Sequence, residues 1–404
     1  MKGFTALSAI SKAYEMNIPE HFLVPDFSAE VLAGKILSSA EAARPGKDPL
    51  QGFPSHPGNA DLCWTGADIE PRHYLIQFSA EDIAALENAM AGFKNLELPL
   101  SSLDPTVFYL PTELAARLRV VSKIIHTGIG FAVLRGLDPE RYSEEENAIM
   151  YCGVASHIGI QRSANSRGMA MVHIRDATND ARPKNIADGE KLAPSKRKGG
   201  MRFHADRMYA DMLSLYIRGQ AAVGGEQYIA SSWTIYNKLM QQAPEILRVL
   251  AGEWKWAPED NSPPGTPNRM PALLHQDGRI ILQLVWAPFV ANPGLATPAQ
   301  RLALDTVQQL AEENCMRLDQ QPGDIQVINN LAILHTRSAF ADSPSRKRHL
   351  LRLGLRDPSE AWRMPPRYEE LFGKAFLIPT DEQTIPVTDF DAWGETTTED
   401  ANHG

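Results

Sequence analysis

Cysteine is scarce in this chain of 404 residues. The three cysteines, Cys63, Cys152 and Cys315, are odd in number and show no C-x-x-C spacing. This pattern disfavours both a disulfide framework and a structural zinc site built from thiolates. So little use of cysteine is typical of a reducing compartment, and we expect a cytoplasmic location.

Long apolar runs and an excess of positive charge are also missing. No apolar stretch approaches the roughly 20 residues of a membrane-spanning helix, and the short apolar segment 4–10 runs directly into Ser11 and Lys12, which disfavours a secretory signal. The formal net charge of −9 argues against nucleic acid as the main partner. We therefore predict a soluble protein that acts on a small molecule, without a membrane or nucleic-acid partner. Homo-oligomerisation is left open.

The composition that is present is that of a globular protein with a large core. Apolar residues make up 43% and charged residues 22% of the chain, which are ordinary values. The first 70 residues or so are rich in Pro, Gly, Ser and Ala, which indicates either extended chain wrapped on a domain or a partly disordered segment. We predict an N-terminal extension wrapped on the core over residues 1–110, a core domain over 111–360 and a partly acidic tail over 361–404.

Short strands with inserted helices dominate the predicted core domain. Residues 211–218 alternate Leu213, Leu215 and Ile217 on one face, which is typical of a strand. Residues 270–285 are predicted to form a hairpin around His275–Gly278. The predicted fold class is mainly β with flanking helices (α+β), in the form of a double-stranded β-helix, or jelly-roll barrel, with helical insertions.

Two histidines and one aspartate carry the strongest chemical signal. His204 and Asp206 lie two residues apart at a predicted strand end, where residues i and i+2 face the same side. His335 occupies a matching strand-end context further along. Two imidazoles and one carboxylate form the facial triad that holds Fe(II) and leaves positions open. The alternative for an isolated H-x-D tripeptide is a surface histidine beside a solvated aspartate.

A basic strand follows the second histidine. Arg348 precedes the mainly apolar run Leu350–Leu355, and Arg352 lies within it. Basic side chains thus alternate with apolar ones along a predicted strand. A buried arginine is costly unless it is paired. A dicarboxylate such as 2-oxoglutarate would supply the partner, because its distal carboxylate accepts a bidentate contact from a guanidinium.

Several segments in this order resemble the TauD/TfdA-like (taurine/2-oxoglutarate dioxygenase-like) family of Fe(II) enzymes. The resemblance extends from about residue 115 to 357, more than half of the chain, and its motifs are specific as a set. The matching segments are 130–136, 156–159, His204-Ala205-Asp206, the 224–227 turn, Pro322-Gly323-Asp324, Asn329-Asn330, His335-Thr336-Arg337, Arg348 and Arg352.

The resemblance implies a role for individual residues. The two histidines and the aspartate would bind iron and take part in catalysis, and Arg348 would hold the distal carboxylate of 2-oxoglutarate. Arg352 matches a position that touches an anionic substrate in sulfonate-oxidising relatives. Gln227 stands where the family usually has a Thr or Ser that helps bind 2-oxoglutarate, so either Gln227 or the nearby Ser231 is expected to make that contact.

Three further expectations leave alternatives open. His173, on a strand shortly before the H-x-D segment, is a candidate substrate contact or a core residue. The basic run 191–198 is expected to be a solvated loop, with a mobile lid over an anionic ligand as the alternative. For Arg352, the alternative to substrate binding is an internal salt bridge to Asp357 or Glu226.

The predicted function is that of an Fe(II)- and 2-oxoglutarate-dependent dioxygenase that uses O2 and releases succinate and CO2. Its substrate is expected to be a small, anionic or amino-acid-like metabolite or natural-product intermediate of secondary metabolism. The C–H bond would be hydroxylated, desaturated or oxidatively cyclised. The alternatives are a zinc-dependent hydrolase with the same three ligands and a non-catalytic jelly-roll binding protein, and neither of them has a use for Arg348.

Overall fold

The computed structural model describes residues 50–56, 60–186, 191–256, 268–390 and 392–394. Residues 1–49 of the predicted extension and 395–404 of the predicted tail lie outside the described residues. Among the described residues, none of the helices combines the length and apolar character that a bilayer crossing requires. The helices are α1 (Pro71–Tyr74), α2 (Ala80–Asn95), α3 (Thr112–Thr127), α4 (Glu144–Ser156), α5 (Ser232–Gln242), α6 (Pro244–Ala251), α7 (Ala287–Ala291), α8 (Pro298–Asn314) and α9 (Pro366–Gly373).

The strands of the described chain are short, as the sequence predicts. They are β1 (Leu75–Gln77), β2 (Phe131–Arg135), β3 (Gln161–Arg162), β4 (Met171–Arg175), β5 (Met212–Gly219), β6 (Val223–Gly224), β7 (Gln227–Ser231), β8 (Trp254–Trp256), β9 (Asn268–Met270), β10 (Leu273–Gln276), β11 (Arg279–Leu282), β12 (Met316–Arg317), β13 (Ile325–Asn329), β14 (Ile333–Arg337), β15 (Phe340–Ala341) and β16 (His349–Arg356).

Helix starts are set by local chemistry that the sequence displays. Ser79 accepts a hydrogen bond from the Asp82 amide, and the Asp82 carboxylate accepts one from the Ser79 amide in return. The same reciprocal box, formed with Glu146, begins α4 at Ser143. Such boxes satisfy backbone donors that the first helical turn leaves free.

Two sheets carry the functional residues. The larger sheet has the order β1-β2-β13-β5-β16-β3, with β4 also pairing with β16. The smaller sheet has the order β12-β7-β14. All these pairs are antiparallel except β1–β2. The predicted hairpin is also confirmed, because β10 pairs with β11.

Apolar packing joins the predicted extension and tail to the core domain. Leu62 and Trp362 belong to one buried cluster together with Tyr228 of the small sheet. Phe93 of α2 belongs to a second cluster, which contains Leu353 of the large sheet. The described residues before 110 and after 360 thus form part of the main core, since their side chains are buried in it rather than laid over it.

Candidate active site

The segment that carries His204 and Asp206 is not a strand. The predicted strand end is replaced by a single antiparallel bridge between His204 and His335. The reason is that four consecutive backbone amides are each held by a different part of the chain. The bonds are Phe203 N to Gln308 Oε1 (2.9 Å), His204 N to His335 O (3.0 Å), Ala205 N to Leu284 O (2.9 Å) and Asp206 N to Asn330 Oδ1 (2.8 Å).

This arrangement brings the three predicted ligands together. Nε2 of His204 lies 3.7 Å and Nε2 of His335 lies 3.6 Å from Oδ1 of Asp206. One ligand atom from each residue lies within 4.8 Å of the others, and the two imidazole rings are 4.2 Å apart. His204 and Asp206 are buried, and His335 is partly exposed. Two imidazole nitrogens and one carboxylate oxygen clustered in this way are a donor set suited to a divalent transition metal.

Hydrogen bonds beyond the ligand atoms orient this set. Nδ1 of His204 lies 2.7 Å from the Arg202 carbonyl oxygen, so the Nδ1–H donates there and Nε2 is left to bind a metal. Asn330 Nδ2 donates to the backbone oxygens of Asp206 (2.6 Å) and Ala210 (2.9 Å). The Asp206 backbone is therefore held on both sides by one buried amide side chain.

Arg352 makes an internal contact with the triad. Its Nη1 lies 3.5 Å from Oδ2 of Asp206, and its guanidinium lies over the Tyr209 ring at 5.0 Å. The expected internal partners, Asp357 and Glu226, are replaced by Asp206. Because Arg352 contacts Oδ2, the other oxygen of Asp206 is left to face the two histidines.

The three candidate metal-ligating residues line one cavity. The cavity is partly open to solvent, and its empty volume, the open mouth included, is about 600 Å³. Leu213 and Leu350 line it from the large sheet, and Ile229 lines it from the small sheet. Aliphatic side chains form much of the exposed wall, and polar side chains, among them the three candidate metal ligands and Arg348, converge on the same space, which is typical of a small-molecule site.

Arg348 lines this cavity and forms no ion pair among the described residues, although the charge of Asp342 favours its cationic form. The side chain is 3% exposed, and its Nε and Nη1 have no hydrogen-bond partner among the described residues. The guanidinium lies 5.3 Å from the centre of the Phe340 ring. Burial lowers the pKa of Arg348 to about 10, because the charged form has lost its water. A carboxylate from outside the protein fits this group.

Of the two candidates for a second cofactor contact, only Gln227 lies in the cavity. Gln227 lines the cavity, is buried, and its Oε1 has no hydrogen-bond partner in the described chain. Ser231 instead accepts a bond from the Thr234 amide at 3.2 Å as the N-cap of α5, and its hydroxyl donates to the Leu62 carbonyl. The predicted cofactor contact of Ser231 is therefore wrong, because its hydroxyl is committed to the helix start and lies outside the cavity lining.

His173 also lies outside the cavity. Strand alternation turns its neighbour Ile174 into the cavity and His173 to the opposite face of the sheet. There Nδ1 of His173 lies 2.8 Å from Nε2 of His349, and Nε2 lies 2.9 Å from the Pro386 carbonyl oxygen. Burial lowers the pKa of both imidazoles, that of His349 to about 3. The predicted substrate contact of His173 is wrong in this fold, and the core alternative describes it.

The solvated loop expected over residues 191–198 is only partly present. Leu192, Ser195 and Lys196 are buried, and Ser195 lines the cavity. Sequence reasoning missed Ser195, although the apolar stretch Leu192–Pro194 inside a basic run was a signal of burial. Arg337, which belongs to the matching His335-Thr336-Arg337 segment but was assigned no role, lines the same cavity.

Comparison with known proteins gives the family. The model of the family "Taurine catabolism dioxygenase TauD, TfdA family" matches residues 103–353. The taurine hydroxylase-like protein SAT17 of Stachybotrys chartarum is 35% identical over 338 residues, which cover 80% of this chain and 86% of that protein. FR-33289 synthase of Streptomyces rubellomurinus is 30% identical over 261 residues, with 61% of this chain and 75% of that protein covered.

Solved structures give the same fold at lower identity. An asparagine oxygenase in complex with Fe(II), a hydroxyasparagine and succinate has a TM-score of 0.52 at 17% identity, with 73% of this chain and 98% of that chain covered. The non-heme iron oxygenase OrfP, in complex with iron and α-ketoglutaric acid, has a TM-score of 0.52 at 15% identity, with 70% and 94% covered. The chain belongs to the taurine catabolism dioxygenase TauD, TfdA family and is a non-heme Fe(II)- and 2-oxoglutarate-dependent dioxygenase.

Proposed function

We propose that the two sheets form a jelly-roll barrel in which His204, Asp206 and His335 hold Fe(II) and Arg348 binds the distal carboxylate of 2-oxoglutarate. The enzyme oxidises a C–H bond of a small, anionic or amino-acid-like metabolite and releases succinate and CO2. O2 is the second co-substrate. Iron and 2-oxoglutarate supply the oxidising chemistry when they are bound.

The observation that carries this proposal is the guanidinium of Arg348, which is buried beside the three candidate metal ligands and forms no ion pair among the described residues. A buried charge without an ion pair costs about several kcal/mol of stability. A protein that retains such a charge is expected to use it for binding. A hydrolase with zinc at the same ligands would not need it, and neither would a silent binding protein. A dicarboxylate co-substrate satisfies it.

The remaining cavity residues position and shield the reaction. Arg352 and Asn330 hold the Asp206 carboxylate and backbone, so the metal ligand does not have to reorganise when the ion enters. Leucine and isoleucine side chains on both walls exclude water from the reacting centre. Gln227 lines the same cavity, and the amide nitrogen of its side chain is the group that would donate to 2-oxoglutarate, since the cofactor offers only acceptors.

The class of substrate rests on the cavity and on the relatives. Arg352 lines the cavity as well as contacting Asp206, so a positively charged side chain borders the space in which an anionic group of the substrate would lie. The named relatives include a taurine hydroxylase-like protein, a natural-product synthase and an asparagine oxygenase. A small metabolite of secondary metabolism agrees with both.

The test is calorimetric titration of 2-oxoglutarate into the Fe(II)-loaded protein without oxygen. Loss of one partner of a buried charge pair costs about 3–5 kcal/mol, so Arg348→Ala should weaken binding on the order of a hundredfold or more. Arg348→Lys should recover only part, because an ammonium cannot make the bidentate contact. The matched control is Arg346→Ala, which removes an exposed arginine two residues earlier. Unchanged affinity in Arg348→Ala would refute the assignment.

A further inference from the structure

One buried hydroxyl in the cavity is still without a function. Ser195 is 5% exposed, lines the cavity, and its Oγ has no hydrogen-bond partner among the described residues. A buried hydroxyl without a partner costs free energy, so a ligand that bonds to it gains affinity. The question is which part of the bound molecules lies beside it.

Arg337 places Ser195 at the Arg348 end of the cavity. Nη2 of Arg337 donates to the carbonyls of Pro194 (2.9 Å) and Arg197 (2.6 Å), on either side of Ser195. The guanidiniums of Arg337 and Arg348 both lie over the Phe340 ring, at 5.0 and 5.3 Å. One aromatic ring thus joins the segment of Ser195 to the arginine proposed to bind the distal carboxylate.

A second observation supports the same end of the cavity. Residues 193–197, which we call the strap, contain a short 3-10 turn at Pro194–Lys196 and contribute Ser195 to the cavity lining. The oxygen of Lys196 accepts from the Ala177 amide at 3.0 Å, just beyond the end of β4 that pairs with His349. His349 directly follows Arg348, so the strap and Arg348 meet at one end of the sheet.

The strap is also fixed from its outer side. Lys196 is 2% exposed, and its Nζ lies 3.1 Å from each carboxylate oxygen of Asp389. The same Nζ donates to the His173 carbonyl. Arg337 inside and Asp389 outside therefore hold the strap between them, which fixes where the hydroxyl of Ser195 can lie.

The distal carboxylate of 2-oxoglutarate can use such a donor. A carboxylate offers about four acceptor positions on its two oxygens, and a bidentate guanidinium occupies two of them. Gln227 brings an amide rather than a hydroxyl to this site, and the hydroxyl of Ser231 is committed to a helix start. Ser195 is the remaining serine of the cavity lining.

We propose that Ser195 donates a hydrogen bond to the distal carboxylate of 2-oxoglutarate, beside Arg348. This rests on the proposed function, in which Arg348 binds that carboxylate. The strap is then a cofactor-contacting element, and Arg337, Lys196 and Asp389 are positioning residues that act through it.

The experiment measures 2-oxoglutarate binding to the Fe(II)-loaded protein by anaerobic calorimetry. Ser195→Ala should weaken binding about ten- to a hundredfold, as expected for a lost hydrogen bond to a charged group. Ser195→Thr keeps the hydroxyl and should bind within a few-fold of the natural protein. Ser214→Ala is the matched control, because Ser214 is equally buried but alternates away from the cavity between Leu213 and Leu215.

Each outcome decides between the two proposals. Weakened binding in both Arg348→Ala and Ser195→Ala, with recovery in Ser195→Thr, supports the inference. Weakened binding in Arg348→Ala alone overturns the role of Ser195 and leaves the proposed function standing. Unchanged binding in Arg348→Ala refutes the assignment of Arg348 to the distal carboxylate, and with it the place proposed for Ser195. If Ser195→Ala fails to fold, the comparison is made between Ser195→Asn, which restores a donor, and Ser195→Gly, which has none. Equal 2-oxoglutarate affinity of these two variants overturns the inference.

Discussion

The two ends of the cavity differ in how their polar groups are satisfied. At the metal end, the Asp206 carboxylate is contacted by Arg352, its backbone is held by Asn330, and His204 donates to the Arg202 carbonyl. At the far end, polar atoms of Arg348, Gln227 and Ser195 have no hydrogen-bond partner among the described residues. The surroundings of His204 and Asp206 are therefore largely complete, whereas Nδ1 of His335 and the proposed cofactor-binding groups have no hydrogen-bond partner among the described residues.

This difference indicates how each end acquires its ligand. A metal site gains from ligands that are already oriented, because a misplaced donor weakens the ion's coordination. In the proposed function, the far end receives 2-oxoglutarate, which must enter and, as succinate, leave in every cycle. Internal partners for these groups would compete with the co-substrate, so the structure tolerates the buried donors of Arg348 and Ser195, which the ligand would complete.

The largest effect is expected at the metal end. His204→Ala, Asp206→Ala or His335→Ala should each abolish stoichiometric Fe(II) binding, because three ligand atoms are the minimum for this site. The fold should survive, since the apolar cores do not depend on these side chains. Anaerobic Fe(II) titration with circular dichroism measures both. His173→Gln, a change of a buried histidine outside the cavity, should keep full iron binding, and iron retained by any of the three alanine variants would refute the triad.

A smaller effect is expected from the contact that supports the triad. Arg352→Ala should weaken Fe(II) binding about ten- to a hundredfold, since a hydrogen bond to a charged group contributes about 1.5–3 kcal/mol. Stimulation of 2-oxoglutarate turnover by the true substrate should also be lost. The measurements are Fe(II) titration and succinate release with and without substrate. If iron affinity is unchanged while stimulation is lost, Arg352 is a substrate contact alone and the metal end is less complete than described.

The smallest effect concerns stability and has opposite signs at the two ends. Arg348→Met should raise the free energy of unfolding of the metal-free, cofactor-free protein by about 1 kcal/mol or more, because a desolvated charge is replaced by apolar volume. Since burial lowers the pKa of Arg348 to about 10, the folded protein carries the full penalty below that pH and loses it as the pH rises further.

Urea denaturation at pH 8 tests this sign. Arg352→Met is the matched comparison, and it should lower the free energy of unfolding, because Asp206 loses its internal cation. Equal destabilisation by both substitutions would show that Arg348 has an internal partner as effective as that of Arg352, and the contrast between the two ends would disappear.

Local patterns in the sequence predicted the features that depend on neighbouring residues. The alternation at 213–217 predicted β5, and Ser79 and Ser143 predicted the starts of α2 and α4. Arg348 was expected to be buried in a pocket because basic residues alternate into an apolar run, and the structure places it there. These inferences need only the periods of strands and helices.

Features set by distant residues could not be predicted in the same way. A strand pattern shows that His173 and Ile174 face opposite sides, but not which side holds the cavity, and a one-residue error exchanges them. Ser195 is buried because Arg337 and Asp389 hold its neighbours, and neither contact has a local signal. The contact between Arg352 and Asp206 likewise depends on how the large sheet faces the H-x-D segment.

The four anchored amides of residues 203–206 have a consequence for the order of assembly. Their acceptors belong to residues 284, 308, 330 and 335, so this segment makes its native contacts only after much of the later chain has been synthesised and closed onto it. Contacts between residues so distant in sequence form slowly, because the loops between them must close first. We expect the metal-binding segment to be ordered late in folding, and iron to be loaded after the two sheets have formed rather than during synthesis.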